Sequence, residues 1–269
     1  MPPKNLTRLD LRHCQITFTA DSPLADAIKE LVRLEYLDMS CNDMQDVAGL
    51  MVVCKCLKLL MNLKSLALLN CQITFTADSP LADAIKELVR LEGLDLSGND
   101  MQDVAGLMVF CEGLKHLTNL RNLILLNCQI TFTADSPLAD AIKELVRLEG
   151  LDLSGNDMRD QVGFNEFCKG LKHLTNLRVL ALGACQITFT PDSKLVDALK
   201  SMVILETLEL SGNDMRDEEG FIEFCNNLVD LKNLTILNLR SCQLTSASRS
   251  HLSDVMKSQE QLECHIEDL

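Results

Sequence analysis

Leu63-Lys64-Ser65-Leu66-Ala67-Leu68-Leu69-Asn70-Cys71-Gln72-Ile73 and the next stretch of its kind, Leu91-Glu92-Gly93-Leu94-Asp95-Leu96-Ser97-Gly98-Asn99-Asp100-Met101, decide the fold of this 269-residue chain. Both stretches carry leucine at positions one, four and six. They differ at position nine, Cys in the first and Asn in the second. Alternation through the middle puts Leu66 and Leu68 on one face and Ala67 and Leu69 on the other, which predicts a short strand buried on one side. The ninth residue ends that strand. Turned inward, an Asn amide or a Cys thiol can bond turn backbone that burial would otherwise leave unpaired.

The pattern recurs along the chain. Its starts fall at Leu6, Leu34, Leu63, Leu91, Leu120, Leu148, Leu177, Leu205 and Leu234, with a degenerate tenth at Leu262. The ninth positions form a ladder: Cys14, Asn42, Cys71, Asn99, Cys128, Asn156, Cys185, Asn213 and Cys242. Cys-type and Asn-type repeats alternate, so the larger tandem unit is a pair of repeats, as in 63–119. Residues 63–119 and 120–176 differ at only ten positions, as a recent tandem duplication would. Nine matches in register fit the leucine-rich-repeat template, which permits Asn or Cys at the ninth position.

A helix should follow each strand. In the Cys type it starts near Asp78-Ser79-Pro80, with Ser79 as N-cap and Pro80 in the first turn. Leu81, Ala84, Ile85, Leu88 and Val89 then share one face. In the Asn type it starts near Asp103, and Val104, Leu107, Cys111 and Leu114 turn inward. A single repeat leaves both flanks open, so neighbours must stack and the ends need covers. The expectation is one leucine-rich-repeat domain over 1–269, with 245–269 a degenerate carboxy-terminal cap. Leu6 opens a full-strength strand. The helix holding Met51, Val52, Val53, Cys54, Cys56, Leu57, Leu59, Leu60 and Met61 is more apolar than its later copies. Both features point to a preceding domain or a second copy at that end.

Composition narrows the function. Aromatics are 4% with no Trp, which argues against base-stacking and carbohydrate platforms. A net charge of −14 argues against nucleic acid and anionic membranes and favours basic protein partners. No apolar run is long enough for a membrane span, and Met1-Pro2-Pro3-Lys4-Asn5 holds no signal region, so a cytoplasmic location is expected. Ladder cysteines two strands apart lie about 10 Å from each other, beyond disulfide reach. They read as buried thiols. Cys54-Lys55-Cys56 on a helix points its sulfurs apart, so no metal site is expected. His13, His116, His173, His251 and His265 have no nucleophile or carboxylate at a catalytic spacing, and no Gly-rich phosphate loop is present. The reading is of a non-enzyme without a cofactor.

The regular alternation of two repeat lengths (Leu63 to Leu91, then Leu91 to Leu120), and of Cys and Asn repeats, resembles ribonuclease inhibitor and the repeat domains of NOD-like immune receptors. The resemblance covers Leu6 to about Leu244. It implies an α/β fold: a right-handed leucine-rich-repeat horseshoe solenoid, with a parallel sheet on the concave face and helices on the convex face. It also implies an intracellular protein-binding module. Innate-immune ligand recognition is the favoured role. An acidic inhibitor of a basic enzyme, or a substrate-recruiting adaptor, is the alternative.

Ligand contacts in such a fold lie at the outward strand positions. At the fifth position stand Asp38, Asp95, Asp152 and Glu209 in the Asn type, and Ala67, Ile124 and Ala181 in the Cys type. Leu69 and Leu126 at the seventh position and Val179 at the third add exposed apolar surface. The expected ligand is a protein or peptide presenting basic groups around an apolar anchor.

Overall fold

The computed structural model describes residues 5–257, 259 and 261–266. It divides into two compact units, 1–130 and 131–269. The first holds β1 (Arg8–Asp10), α1 (Pro23–Ile28), β2 (Tyr36–Asp38), α2 (Val47–Leu57), β3 (Ser65–Ala67), α3 (Pro80–Ile85), β4 (Gly93–Asp95), α4 (Val104–Leu114) and β5 (Asn122–Ile124). The second holds α5 (Pro137–Ile142), β6 (Gly150–Asp152), α6 (Gln161–Leu171), β7 (Val179–Ala181), α7 (Leu195–Leu199), β8 (Thr207–Glu209), α8 (Glu218–Leu228), β9 (Ile236–Asn238), α9 (Ser246–Met256) and β10 (Glu263–His265).

Within each unit the strands are parallel neighbours in chain order. In the first unit, one register line runs through Leu9, Leu37, Leu66, Leu94 and Leu123. In the second it runs through Leu151, Leu180, Leu208, Leu237 and Cys264. The interior members of both lines are buried, and the helices close the other side of the core. This is the α/β leucine-rich-repeat solenoid class, with one strand and one helix per repeat.

The ninth-position ladder joins each repeat to its neighbours. The Asn99 amide donates to the Leu68 carbonyl at 2.7 Å and to its own repeat's Leu96 at 2.8 Å. Its oxygen accepts from the backbone N–H of Cys71 at 3.2 Å and Ile73 at 3.0 Å. One side chain satisfies four groups, in both its own repeat and the one before. Asn213 repeats this with Leu182, Leu210, Cys185 and Ile187. The Cys thiols bridge the alternate junctions. Cys71 donates to Met39 O at 3.3 Å, and Cys185 to Leu153 O at 3.3 Å.

The long helices belong to the Asn type. Asp46, Asp103, Asp160 and Asp217 cap them by accepting a backbone N–H from the first turn. Gly106 lets α4 lie against the preceding loop, since a Cβ there would sit 2.3 Å from Phe75 O. Phe75 and Phe110 then meet edge to face at 5.4 Å, and Phe132 and Phe167 do so at 4.9 Å.

Several local expectations change. Ser79 precedes α3 as predicted, but its hydroxyl makes no cap bond and, like those of Ser136 and Ser193, is buried without a partner. Proline replaces the cap: Pro80 has no N–H to satisfy and a φ already suited to the first turn. Where Lys194 stands in place of that proline, α7 begins one residue later, at Leu195. Val89 and Val104 point to solvent, at 46% and 66% exposure. Val89 lies past the end of α3, in the turn that leads to the next strand, and Val104 is the first residue of α4, so neither sits on the helix stripe that faces the core. Finally, Glu263-Cys264-His265 departs from the strand consensus yet forms β10, because parallel pairing with β9 uses backbone groups that any side chain leaves available. Within the expected cap, residues 258, 260 and 267–269 lie outside the described residues.

Asn99→Ala would strand two carbonyls and two N–H groups in the core. A loss of about 3–5 kcal/mol is expected, against about 1–2 kcal/mol for Cys71→Ala, which leaves the Met39 carbonyl short of a weak donor. Urea unfolding of both variants checks the ranking. Equal losses would show that the amide is not the dominant member of the ladder.

Candidate binding face

The outward strand residues form lines across each unit. In the first unit the fifth-position line is Asp10, Asp38, Ala67, Asp95 and Ile124, and the third-position line is Arg8, Tyr36, Ser65, Gly93 and Asn122. In the second the fifth-position line is Asp152, Ala181, Glu209, Asn238 and His265, and the third-position line is Gly150, Val179, Thr207, Ile236 and Glu263. Neighbouring strands are about 4.8 Å apart, so Asp38 and Asp95, one strand either side of Ala67, are about 10 Å from each other. Asp152 and Glu209 flank Ala181 in the same way.

The acidic residues carry a local duty that sequence reading missed. Asp10, Asp38, Asp95, Asp152 and Glu209 each accept the backbone N–H two residues on, from Arg12, Ser40, Ser97, Ser154 and Ser211, at 2.8–3.1 Å. Asn238 does the same for Arg240 at 3.1 Å. A carboxylate here fixes the turn that ends the strand. The signal was present as the recurring Asp-x-Ser of the Asn-type repeats.

Asp38 is also not an open acid. It is 5% exposed, accepts from the Tyr36 hydroxyl at 3.1 Å and pairs with Arg12 at 3.3 Å. Arg12 forks onto Asp10 as well, and that hydrogen-bonded pairing holds the Asp10 carboxyl below its usual range. Arg8 lies 3.7 Å over the Tyr36 ring. Arg8, Asp10, Arg12, Tyr36 and Asp38 therefore satisfy one another, and burial raises the Tyr36 hydroxyl's pKa. Asp95, Asp152 and Glu209 stay partly exposed, although Glu209 also accepts from the Asn238 amide on the next strand. Among the apolar candidates, Val179 is 41% exposed. Leu69, Ile124 and Leu126 are half-buried, and Ala181, set between the longer side chains of Asp152 and Glu209, is buried. Ile236, at 38% exposure on the same line as Val179, was not singled out from the sequence.

None of the twelve cysteines is joined in a disulfide. Burial pushes the thiols of Cys54, Cys71, Cys111, Cys185 and Cys225 up to about 12. Three cysteines are not buried, and of these Cys14 departs from the expectation of a buried ladder thiol. Cys14 is exposed at the leading edge of the stack. Cys41 is half-exposed at a strand end, with φ at 58°, and Cys264 is half-exposed on β10. Among the described residues no group of His, Cys, Asp and Glu is arranged to hold a metal ion, and no helix is long and apolar enough to cross a membrane.

Strand, ladder and helix of this kind define a leucine-rich-repeat protein. Family models described as "Leucine-rich repeat region" and "Leucine Rich repeat" match residues 52–267, and residues 3–17 and 34–53, respectively. The chain belongs to the leucine-rich-repeat family, and its alternating repeats are of the ribonuclease-inhibitor-like kind. It is 32% identical to mouse ribonuclease inhibitor over 270 residues, covering 98% of this chain and 58% of that protein. It is 33% identical to human NACHT, LRR and PYD domains-containing protein 12 over 219 residues, covering 80% of this chain and 20% of that one. The chain thus spans little more than half of the first relative and a fifth of the second. Among solved structures, internalin C2 of Listeria monocytogenes shares the fold, with a TM-score of 0.59 at 22% identity over 95% of this chain and 99% of that one.

The raised thiols give a signed pH dependence. A buried thiol keeps its proton to about pH 12, whereas an unfolded one loses it near 9.0. Their contribution to stability is full below pH 9 and is lost as pH rises from 9 to about 12. The urea midpoint should hold between pH 7 and 8.5 and fall above 9, less steeply in a Cys71→Ala/Cys111→Ala variant. Identical alkaline profiles for the two proteins would count against the thiols as the cause. Under native conditions at pH 8, iodoacetamide should label Cys14 first.

Proposed function

We propose that the chain is a protein-recognition module that binds through the outward strand residues of its repeats, in the manner of an innate-immune receptor's repeat domain, within the cytoplasm. The observation that carries this reading is the pairing, within each unit, of partly exposed carboxylates with apolar side chains at the outward strand positions. Asp95 lies in register beside Ile124, and in the other unit Asp152 and Glu209 lie in register on either side of Ala181, with Val179 on the same strand as Ala181. Val179 and Ile236 stand exposed on one third-position line, and apolar groups clustered on an outward face mark a contact. The open carboxylates add a negative field that steers basic partners. The ligand class is a protein or peptide with basic groups around an apolar anchor. The similarity to receptors of the NACHT, LRR and PYD type supports the immune role.

A second reading, an inhibitor of a basic enzyme, is favoured by the likeness to ribonuclease inhibitor across 98% of the chain. A pancreatic-type ribonuclease is the probe that separates the two. Stoichiometric loss of its activity supports the inhibitor. Full activity in the presence of excess chain supports the receptor-type module.

Affinity capture with the full chain identifies a partner on which the face itself is tested. Asp95→Asn/Asp152→Asn removes charge while keeping the turn acceptor, as Asn238 does naturally. It should slow association about 3–10-fold and flatten its salt dependence. Ile124→Ser/Leu126→Ser should raise the dissociation rate about tenfold or more. Unchanged rates after all four substitutions would reject this face. Attention would then turn to α4 and α6, since seven of the ten differences between 63–119 and 120–176 fall on those helices or just before them.

A further inference from the structure

The outward face of the second unit carries two interleaved rows. On the third-position line Val179 and Ile236 are 41% and 38% exposed, with Gly150 and Thr207 on the neighbouring strands. On the fifth-position line Asp152 and Glu209 stand partly exposed, with Ala181 and Asn238 on the neighbouring strands. Apolar groups therefore rise from β7 and β9, and carboxylates from β6 and β8. The interleaving follows from the alternation of Cys-type and Asn-type repeats, and its period is two strands, about 9.6 Å. The first unit has Ser65 and Asn122 at the corresponding places on its Cys-type strands, so its third-position line lacks the apolar row.

That period selects the backbone of an occupant lying across the strands. In an extended chain, side chains on one face are two residues apart, about 6.6 Å, or four apart, about 13 Å, and both miss the spacing. An α-helix presents residues seven apart on one face, about 10.5 Å along its axis and rotated by only about 20°. Residues three or four away from such an anchor lie to one side of it, about 4.5–6 Å along the axis and about 40–60° round. They reach down toward the carboxylates, which stand about 4.8 Å away, on the next strand, and two residues further along it. A polyproline helix also brings residues about 9 Å apart onto one face, but its intermediate residues stand about 120° from the anchors and point away from the acids.

The carboxylates set the sign of the occupant's charge. Asp152 and Glu209 accept the N–H of Ser154 and Ser211 at 2.9 and 2.8 Å, and Glu209 also accepts from the Asn238 amide. Neither forms an ion pair among the described residues, so an approaching ammonium or guanidinium finds a partner at each. We propose that the ligand segment met by β6–β9 is a basic amphipathic α-helix lying across the strands. Apolar residues seven positions apart rest on Val179 and Ile236, and Lys or Arg three or four positions from them meets Asp152 and Glu209. The inference rests on the outward-face reading and narrows its ligand from a basic protein or peptide to a basic helix.

The test uses an alanine-based peptide held helical by a side-chain staple, with two leucines seven positions apart and arginines three and four positions to either side of each. Its comparator keeps the leucines and arginines but has a proline between the leucines and no staple, so it cannot form the helix. Fluorescence anisotropy with the full chain should show the helical peptide binding at least about tenfold more tightly than the comparator. Val179→Ser/Ile236→Ser should weaken it about tenfold or more. Asp152→Asn/Glu209→Gln, which keeps the turn acceptors, should weaken it about threefold or more at low salt and flatten its salt dependence. Equal binding of helix and comparator, both lost in Val179→Ser/Ile236→Ser, would overturn the helix and leave the face standing. No binding of the helix, or binding that neither pair of substitutions weakens, overturns the proposal as well. The outward-face reading fails by a different result, a captured partner whose rates ignore the substitutions of Asp95, Asp152, Ile124 and Leu126.

Discussion

Burial of strand-ending backbone is the constraint on which the structure depends. Each repeat turns its chain through a buried corner, and buried N–H and C=O groups left unpaired would offset much of what the leucines gain. Asn99 resolves this with one amide that serves four groups in two repeats. Cys71 resolves it more weakly, with a thiol donated to Met39. Because Asn mainly reaches to the preceding Cys-type repeat and Cys to the preceding Asn-type repeat, the two kinds alternate. The long and short helices alternate with them.

That corner also ties recognition to folding. The fifth-position carboxylates hold the turn after the strand by accepting the N–H two residues on, and they lie at the outward strand positions proposed to meet a ligand. An acidic face is thus partly a by-product of ending strands. What distinguishes a binding acid from a merely structural one is its surroundings. Asp38 is consumed by Arg12 and Tyr36, whereas Asp95 has only its own turn and Ser97 to serve. The same distinction applies to the apolar positions: Val179 and Ile236 stand clear, and Ala181 does not.

The sequence by itself determined the repeat, its pairing into a larger tandem unit, the strand face, the identity of the ladder and the class of fold. These are consequences of local spacing, and leucine at positions one, four and six with Asn or Cys at nine admits one periodic solution. It also placed the outward residues, since a strand's faces alternate whatever its neighbours are. Only the tertiary structure decided which of those residues are available. Asp38 is lost to an arginine of the preceding repeat, Val89 and Val104 escape the core because one stands past the end of its helix and the other at the first residue of its own, and Cys14 is exposed while Cys71 is not. Cys14 and Cys71 sit in near-identical phrases. The physical reason is that burial, pairing and shading are properties of contacts between repeats, whereas the periodic code specifies each repeat on its own.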